Sequence, residues 1–248
     1  MSSGLKNRLL TTLIGVPLII CILVFLPQLN YLVFSIVTFS AVLLGSAEME
    51  KLLFGKKTFL SFLPVLFPLV TYLELLLFPS VHISGFIIPF ILLILFALQI
   101  FTGAEDNFKS SVSILSKQVL MMFYPGFLMT YVIKLLAMND NAGILLLYML
   151  IMVFSNDIFA YVFGKLFGKS TKGILKASPN KSIVGFAGGL LCCILFSYLF
   201  NIVAGLNLET QQTILMGLLV SLCANIGDLF ESVLKRSAIS RVISICCF

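Results

Sequence analysis

From Leu9 to Leu234 the chain is a succession of apolar runs, each about long enough to cross a bilayer as a helix, separated by short polar segments. A run of about 20 apolar residues spans ~30 Å of hydrocarbon. Inside lipid every backbone N–H and C=O needs a partner within the protein, and a helix supplies one for nearly all of them within its own segment. Composition agrees: 60% of residues are hydrophobic, 10% are charged, and mean hydropathy is +1.14. Soluble domains are about half apolar and about a quarter charged. The fold class is an all-α polytopic membrane protein.

The runs place eight spans at about 9–26, 31–47, 58–78, 85–101, 118–137, 143–163, 183–204 and 213–234. The first is preceded by Lys6 and Arg8 and resembles a signal peptide. No small-residue cleavage site follows it, so it reads as a retained helix that ends at Pro27. Pro64 and Pro68 are expected to kink the third. Between the fourth and fifth, Phe108, Val112 and Leu115 recur at helical spacing in polar surroundings, as in an interfacial helix. Two regions follow: an N-terminal one, 1–117, with four spans and the interfacial segment, and a C-terminal one, 118–248. The six cysteines lack metal-ligand spacing, and the lone histidine, His82, excludes chemistry built on several.

With the N-terminus in the cytosol, the cytosolic segments are the N-terminus, 48–57, 102–117, 164–182 and 235–248. They hold every Lys and Arg except Lys134, which is 15 of 16. The opposite loops carry His82, Asp140 and Glu209. That asymmetry sets the orientation and supports an even number of spans.

Charged residues then concentrate in one stretch, Ser155 to Gly189. Asp157 interrupts an apolar run, and Lys165, Lys169, Lys172, Lys176 and Lys181 follow among Gly164, Gly168, Gly173 and the Ser178-Pro179 step. In the last span Asn225, Asp228, Ser232 and Lys235 share one helix face, with Glu231 beside it and Arg236 after it. An acid in a span costs about 2.5–3.5 kcal/mol at the helix centre, so Asp157, Asp228 and Glu231 call for partners. An oxygen-rich face ending in Lys235 and Arg236 suits a hard cation beside a phosphate. Plainer readings compete. Asp228 and Glu231 pair with Lys235 and Arg236, Asp157 pairs with a loop lysine, and the lysines mark topology. Gly164 and Gly168, four apart, serve close helix packing. Glu74, near the far end of the third span, reads as structural. The combination on one side of the membrane favours a site.

These residues resemble a known family. FAYVFGKLFGK, SPNKS and GFAGG, in that order, are similar to the AYxFGxxFGK and SPxKTxEGxxGG of phosphatidate cytidylyltransferases (CDP-diacylglycerol synthases). Gly227 to Arg236 resembles their GDLxESxxKR, and the N-terminal LKNRLLTTLIGVPLII is also similar. Ser182 stands for Thr and Val184 for Glu. After Arg236 the chain reads SAISRVISICCF in place of the family's Lys-Asp, Pro-Gly-His-Gly-Gly and Asp-Arg-x-Asp motifs. That tail looks truncated or frame-shifted and lacks the family's last helix and one of its metal-binding acids.

The resemblance implies transfer of a cytidylyl group from CTP to phosphatidate, giving CDP-diacylglycerol and pyrophosphate. It implies Mg²⁺ as the cofactor and the cell (inner) membrane as the location. The partners it implies are CTP, phosphatidate and the lipid bilayer, with no nucleic acid, in a chain that forms a homodimer. Asp228 is then the metal ligand and, with Glu231, Lys235 and Arg236, catalytic. Asn156, Asp157, Lys165, Lys169, Ser178, Pro179, Lys181 and Ser232 are the substrate-binding set. Two other readings stand beside this one: an inactive remnant of the enzyme, and a transporter or lipid translocator whose acids couple to cations.

Overall fold

The computed structural model describes residues 15, 17–55, 59–78, 80, 83–103, 108–138, 141–173 and 176–246, with side chains as far as Ala238. Expectations at Lys6, Arg8, His82 and Asp140 lie outside these residues. Among the described residues, seven helical segments are long and apolar enough to cross a membrane. They are Gln28–Phe54, Phe59–Leu77, Ile83–Thr102, Ser111–Leu136, Ala142–Leu166, Ile183–Ala204 and Thr210–Ala238, matching the second to eighth runs. Residues 17–25 of the first run are also helical. The described residues contain no strand, only an isolated bridge between Lys172 and Ser182. The fold is all-α, as the hydropathy pattern requires.

The chain divides into two compact units, Met1–Gly143 and Ile144–Phe248. The first is built from α1 (Gln28–Phe54), α2 (Leu66–Leu77), α3 (Ile87–Thr102), α4 (Ser111–Met121) and α5 (Leu128–Leu136). Proline shapes it. Pro64 lies in a 3-10 stretch, Phe59–Val65, that opens the third span. Pro68 sits in the first turn of α2, where its missing N–H has no intrahelical acceptor to lose, so the helix runs on through it. Pro125 lies in a π-helical segment, Met122–Phe127, that joins α4 to α5. Gly126 in that segment meets the 3-10 stretch: a Cβ there would stand 2.7 Å from the Pro64 carbonyl oxygen. The expected interfacial helix is corrected over its described part. Residues 111–117 open α4 and run on into the fifth span.

At the other end of α2, Glu74 is 5% exposed and accepts hydrogen bonds from the backbone N–H and hydroxyl of Ser84. It ties the end of one span to the start of the next, in keeping with a structural role.

The second unit holds α6 (Ala142–Leu166), α7 (Ile183–Ala204) and α8 (Thr210–Cys246). Its apolar centre is Tyr148, Met152 and Cys193, packed by Phe200, Leu206, Leu208 and Val220. Gly205, with φ of 62°, closes α7 with a left-handed residue that donates its N–H to the Asn201 and Ile202 carbonyls. The chain then reverses into α8. Polar rungs fasten the helices. Asn201 Nδ2 donates to the Leu208 carbonyl at 2.9 Å and to Thr213 Oγ1 at 3.2 Å. Ser197 Oγ donates to the Thr213 carbonyl at 2.9 Å and lies 2.6 Å from the Tyr148 hydroxyl. Cys193 Sγ donates to the Gly217 carbonyl at 3.3 Å. Thr213, Gly217, Ser221, Asn225 and Asp228 follow at steps of four, four, four and three, one face of α8.

Candidate active site

Two helices can approach to backbone contact only where side chains are absent. The α6–α7 seam is such a place. A Cβ on Gly185 would stand 2.6 Å from the Ala160 carbonyl oxygen and 3.2 Å from Gly164 Cα. One on Gly189 would stand 2.8 Å from the Asn156 carbonyl oxygen. Gly188 packs on Phe163, and Gly168 on Ser182. Gly164, Gly168, Gly185, Gly188 and Gly189 are thus packing residues, and the seam they form draws both ends of the lysine-rich loop together.

The loop between α6 and α7 is a hairpin of turns. Lys169–Thr171 make one 3-10 turn, and Lys172 and Ser182 form the bridge. Gly173, at φ +82°, donates to the Pro179 carbonyl at 3.0 Å. The Lys181 N–H donates to the Ser178 carbonyl at 3.0 Å. Ser182 is the N-cap of α7, its Oγ accepting the Gly185 N–H at 3.0 Å, a bond worth about 1 kcal/mol. This places Lys181 one residue before the cap.

Two contacts then join the loop to α8. Lys181 Nζ forms an ion pair with Asp228 and lies 5.8 Å from the centre of the Phe186 ring. Arg236 Nη1 donates to the Lys176 carbonyl at 2.7 Å. Asp157, one residue beyond Asn156 on α6, lies within electrostatic range of both Asp228 and Lys181. Two carboxylates and an ammonium, from α6, the loop and α8, thus gather at one end of the unit.

The inner layer is Asn156, which is 0% exposed. Its Oδ1 accepts from Ser221 Oγ at 2.6 Å and Asn225 Nδ2 at 3.4 Å. Its Nδ2 donates to Asn225 Oδ1 at 3.2 Å and Asp157 Oδ1 at 3.3 Å. The sequence singled out Asp157 as the polar group interrupting the apolar run of α6. The structure buries Asn156 and leaves Asp157 exposed beside it. The physical reason is cost: a neutral amide with all its bonds made is far cheaper to bury than a carboxylate.

The other expected residues are placed as follows. Glu231 pairs with Lys235 one turn on, the plainer of its two readings. Asp228 takes the loop lysine and not Lys235. Ser232 Oγ bonds back to the Asp228 carbonyl at 3.0 Å. Lys165 Nζ lies 5.9 Å from the Tyr161 ring centre, and Lys169 is exposed on its turn. Ser178 and Pro179 give carbonyls to the hairpin. Ser221 was missed. It lies one turn before Asn225, so extending the Asn225–Asp228–Ser232 face backward would have found it.

An oxygen-rich, lysine-edged site at the end of a helical membrane unit is the frame of an enzyme that handles phosphates at a lipid surface. The sequence matches the Cytidylyltransferase family over residues 6–239, and the chain belongs to that family. It is similar to the phosphatidate cytidylyltransferase of Bacillus subtilis (strain 168), at 30% identity over 240 residues, 94% of this chain and 84% of that one. It is similar to the enzyme of that name from Aquifex aeolicus, at 37% over 123 residues, 48% of this chain and 43% of that one. The one from Staphylococcus haemolyticus is 36% identical over 91 residues, 37% of this chain and 35% of that one. The last two matches therefore span less than half of those proteins. All the site residues above lie inside the family match.

Proposed function

We propose that this chain transfers the cytidylyl group of CTP to phosphatidate, forming CDP-diacylglycerol and pyrophosphate for phospholipid synthesis. The work is done at the cytosolic face of the cell membrane. One observation carries the reading: Asp228, in the Gly-Asp step that resembles the family's, meets Lys181, in the loop that resembles the family's, with Asp157 beside them.

A phosphate oxygen of phosphatidate attacks the α-phosphorus of CTP. The new P–O bond forms as the bond to the β-phosphate oxygen breaks, and the electron pair leaves with pyrophosphate. Both reactants are anions, so catalysis is positioning and charge neutralisation. Lys181 is a flexible point charge on a long stem. Paired with Asp228, it can turn to an arriving phosphate without crossing the site. Arg236, by holding Lys176, keeps the hairpin against α8.

The donor set suits Mg²⁺. This ion usually takes one or two carboxylates and completes its shell with water and substrate phosphates. Asp228 and Asp157 supply the two. Among the described residues no group of three His, Cys, Asp or Glu gathers, which fits an ion shared with a nucleotide and not caged by protein. Bound there, the ion would supply neutralisation of the α-phosphoryl and the leaving pyrophosphate. A homodimer in the membrane is part of the same proposal.

The test is conversion of labelled CTP into lipid-extractable CDP-diacylglycerol by the purified chain in phosphatidate-containing vesicles. Turnover that needs Mg²⁺, stops with chelator and is lost in Asp228→Asn supports the reading. No turnover by the unaltered chain under these conditions sinks it and leaves the inactive-remnant reading. Cation-coupled flux through the same vesicles would favour the translocator.

A further inference from the structure

Asn156 stood among the substrate-binding candidates, and its geometry argues otherwise. A side-chain amide has two acceptor lone pairs and two donor hydrogens. Here all four are taken, by Ser221, by Asn225 twice and by Asp157. Its orientation is fixed as well. The Asp157 carboxylate only accepts, so the atom facing it is the nitrogen, and the oxygen therefore faces Ser221. The set closes on itself, because Asn225 Nδ2 also donates to Ser221 Oγ at 3.3 Å. Gly189 of α7 lies against the third side: a Cβ there would be 3.0 Å from Asn156 Oδ1. Three helices thus meet on one buried amide, and that amide has nothing left to offer a ligand.

We infer that Asn156 is a positioning residue that locks α6 to α8, so that Asp157 and Asp228 keep a fixed separation. This rests on the cytidylyl-transfer reading for its consequence, though not for its geometry. The Asn156–Asp157 bond aims one carboxylate, and the Asn156–Ser221–Asn225 ring sets the rotation of the helix carrying the other. Partners of this kind, one step behind the groups that hold an ion, change activity about 10–100-fold when removed.

The experiment uses the full chain in nanodiscs with four variants: Asn156→Ala, Asn225→Ala, the double variant, and Tyr148→Phe as a control at the far end of the same unit. Each is read for kcat, KM for CTP, KM for phosphatidate, and Tm. Asn156→Ala is expected to lower kcat about 10–100-fold with both KM values within about twofold, Asn225→Ala to act alike, and the double to fall no further. Tyr148→Phe should lower Tm and leave kcat and both KM values unchanged. Spin labels on Cys introduced at the exposed positions 158 and 226, in a chain whose native cysteines are replaced, give a second readout without turnover. The α6–α8 distance distribution should broaden in Asn156→Ala and stay sharp in Tyr148→Phe. A tenfold rise in either KM with kcat intact would make Asn156 a substrate contact and overturn the inference. So would multiplicative effects in the double variant, or a Tm loss with unchanged kinetics and an unchanged distance. Absence of turnover in the unaltered chain counts against the reaction instead, and the distance measurement still decides the positioning role.

Discussion

Lys181→Gln separates a functional ion pair from a structural one. The pair with Asp228 is partly open to solvent, at 24% and 55% side-chain exposure. Ion pairs exposed to this degree contribute about 0.2–1 kcal/mol. The lysine's position 5.8 Å from the Phe186 ring centre adds about 0.5–1 kcal/mol. Their sum is about 1–2 kcal/mol. For a chain of this size, at about 2–4 °C per kcal/mol, Tm should drop by about 2–8 °C. Turnover should suffer far more. Removing one pre-placed group that stabilises developing charge typically costs about 10²–10³ in kcat. The assay is CDP-diacylglycerol formation per folded molecule, measured beside the melting curve. Lys181→Arg should recover only part of the rate, because a guanidinium fork does not reproduce a point charge. If Lys181→Gln kept turnover within threefold of the unaltered chain, the lysine would be a loop staple and its phosphate role would be wrong.

Other expectations follow from the packing. Gly185→Ala drives a methyl to 2.6 Å from a backbone oxygen that cannot rotate away, so about 1–3 kcal/mol should be lost in a denaturation curve. Gly45→Ala, inside α1 with nothing within 4 Å, should instead stabilise by about 0.5–1 kcal/mol. Glu74→Gln weakens the bonds to Ser84. It should lower Tm while turnover per folded molecule holds, and a loss of rate at unchanged Tm would refute its structural role. Arg236→Met frees the Lys176 carbonyl and should speed proteolysis at the lysine hairpin several-fold while α8 itself stays protected.

The spans were readable because hydrophobicity over about 20 residues is a property of one segment alone. The α7 span, 183–204, falls where the sequence put it, and the third span opens as a 3-10 stretch around Pro64, whose ring removes an N–H. Partner choice was not readable in the same way. Spacing placed Asn225 and Asp228 on one face, but it could not say whether Asp228 would meet Lys235 on its own helix or Lys181 from the hairpin. It flagged Asp157 because a charge in an apolar run stands out. It passed over Ser221, which is small, neutral and unremarkable until a buried amide from another helix lies 2.6 Å away. The four-residue interval between Gly164 and Gly168 announced close packing, but only the fold reveals that Ser182 fills it.

The evenly stepped polar face of α8 makes the last helix behave like a key cut to a single depth. One residue inserted between Thr213 and Asn225 would turn everything beyond it by about 100°. Asp228 would swing off the lysine and Asn225 off its amide partner in the same stroke. A residue added in the turn at 206–209 would disturb Leu206, Leu208 and the Asn201–Leu208 bonds but leave the spacing along the α8 face unchanged, so the cost of lengthening should rise at the start of this helix.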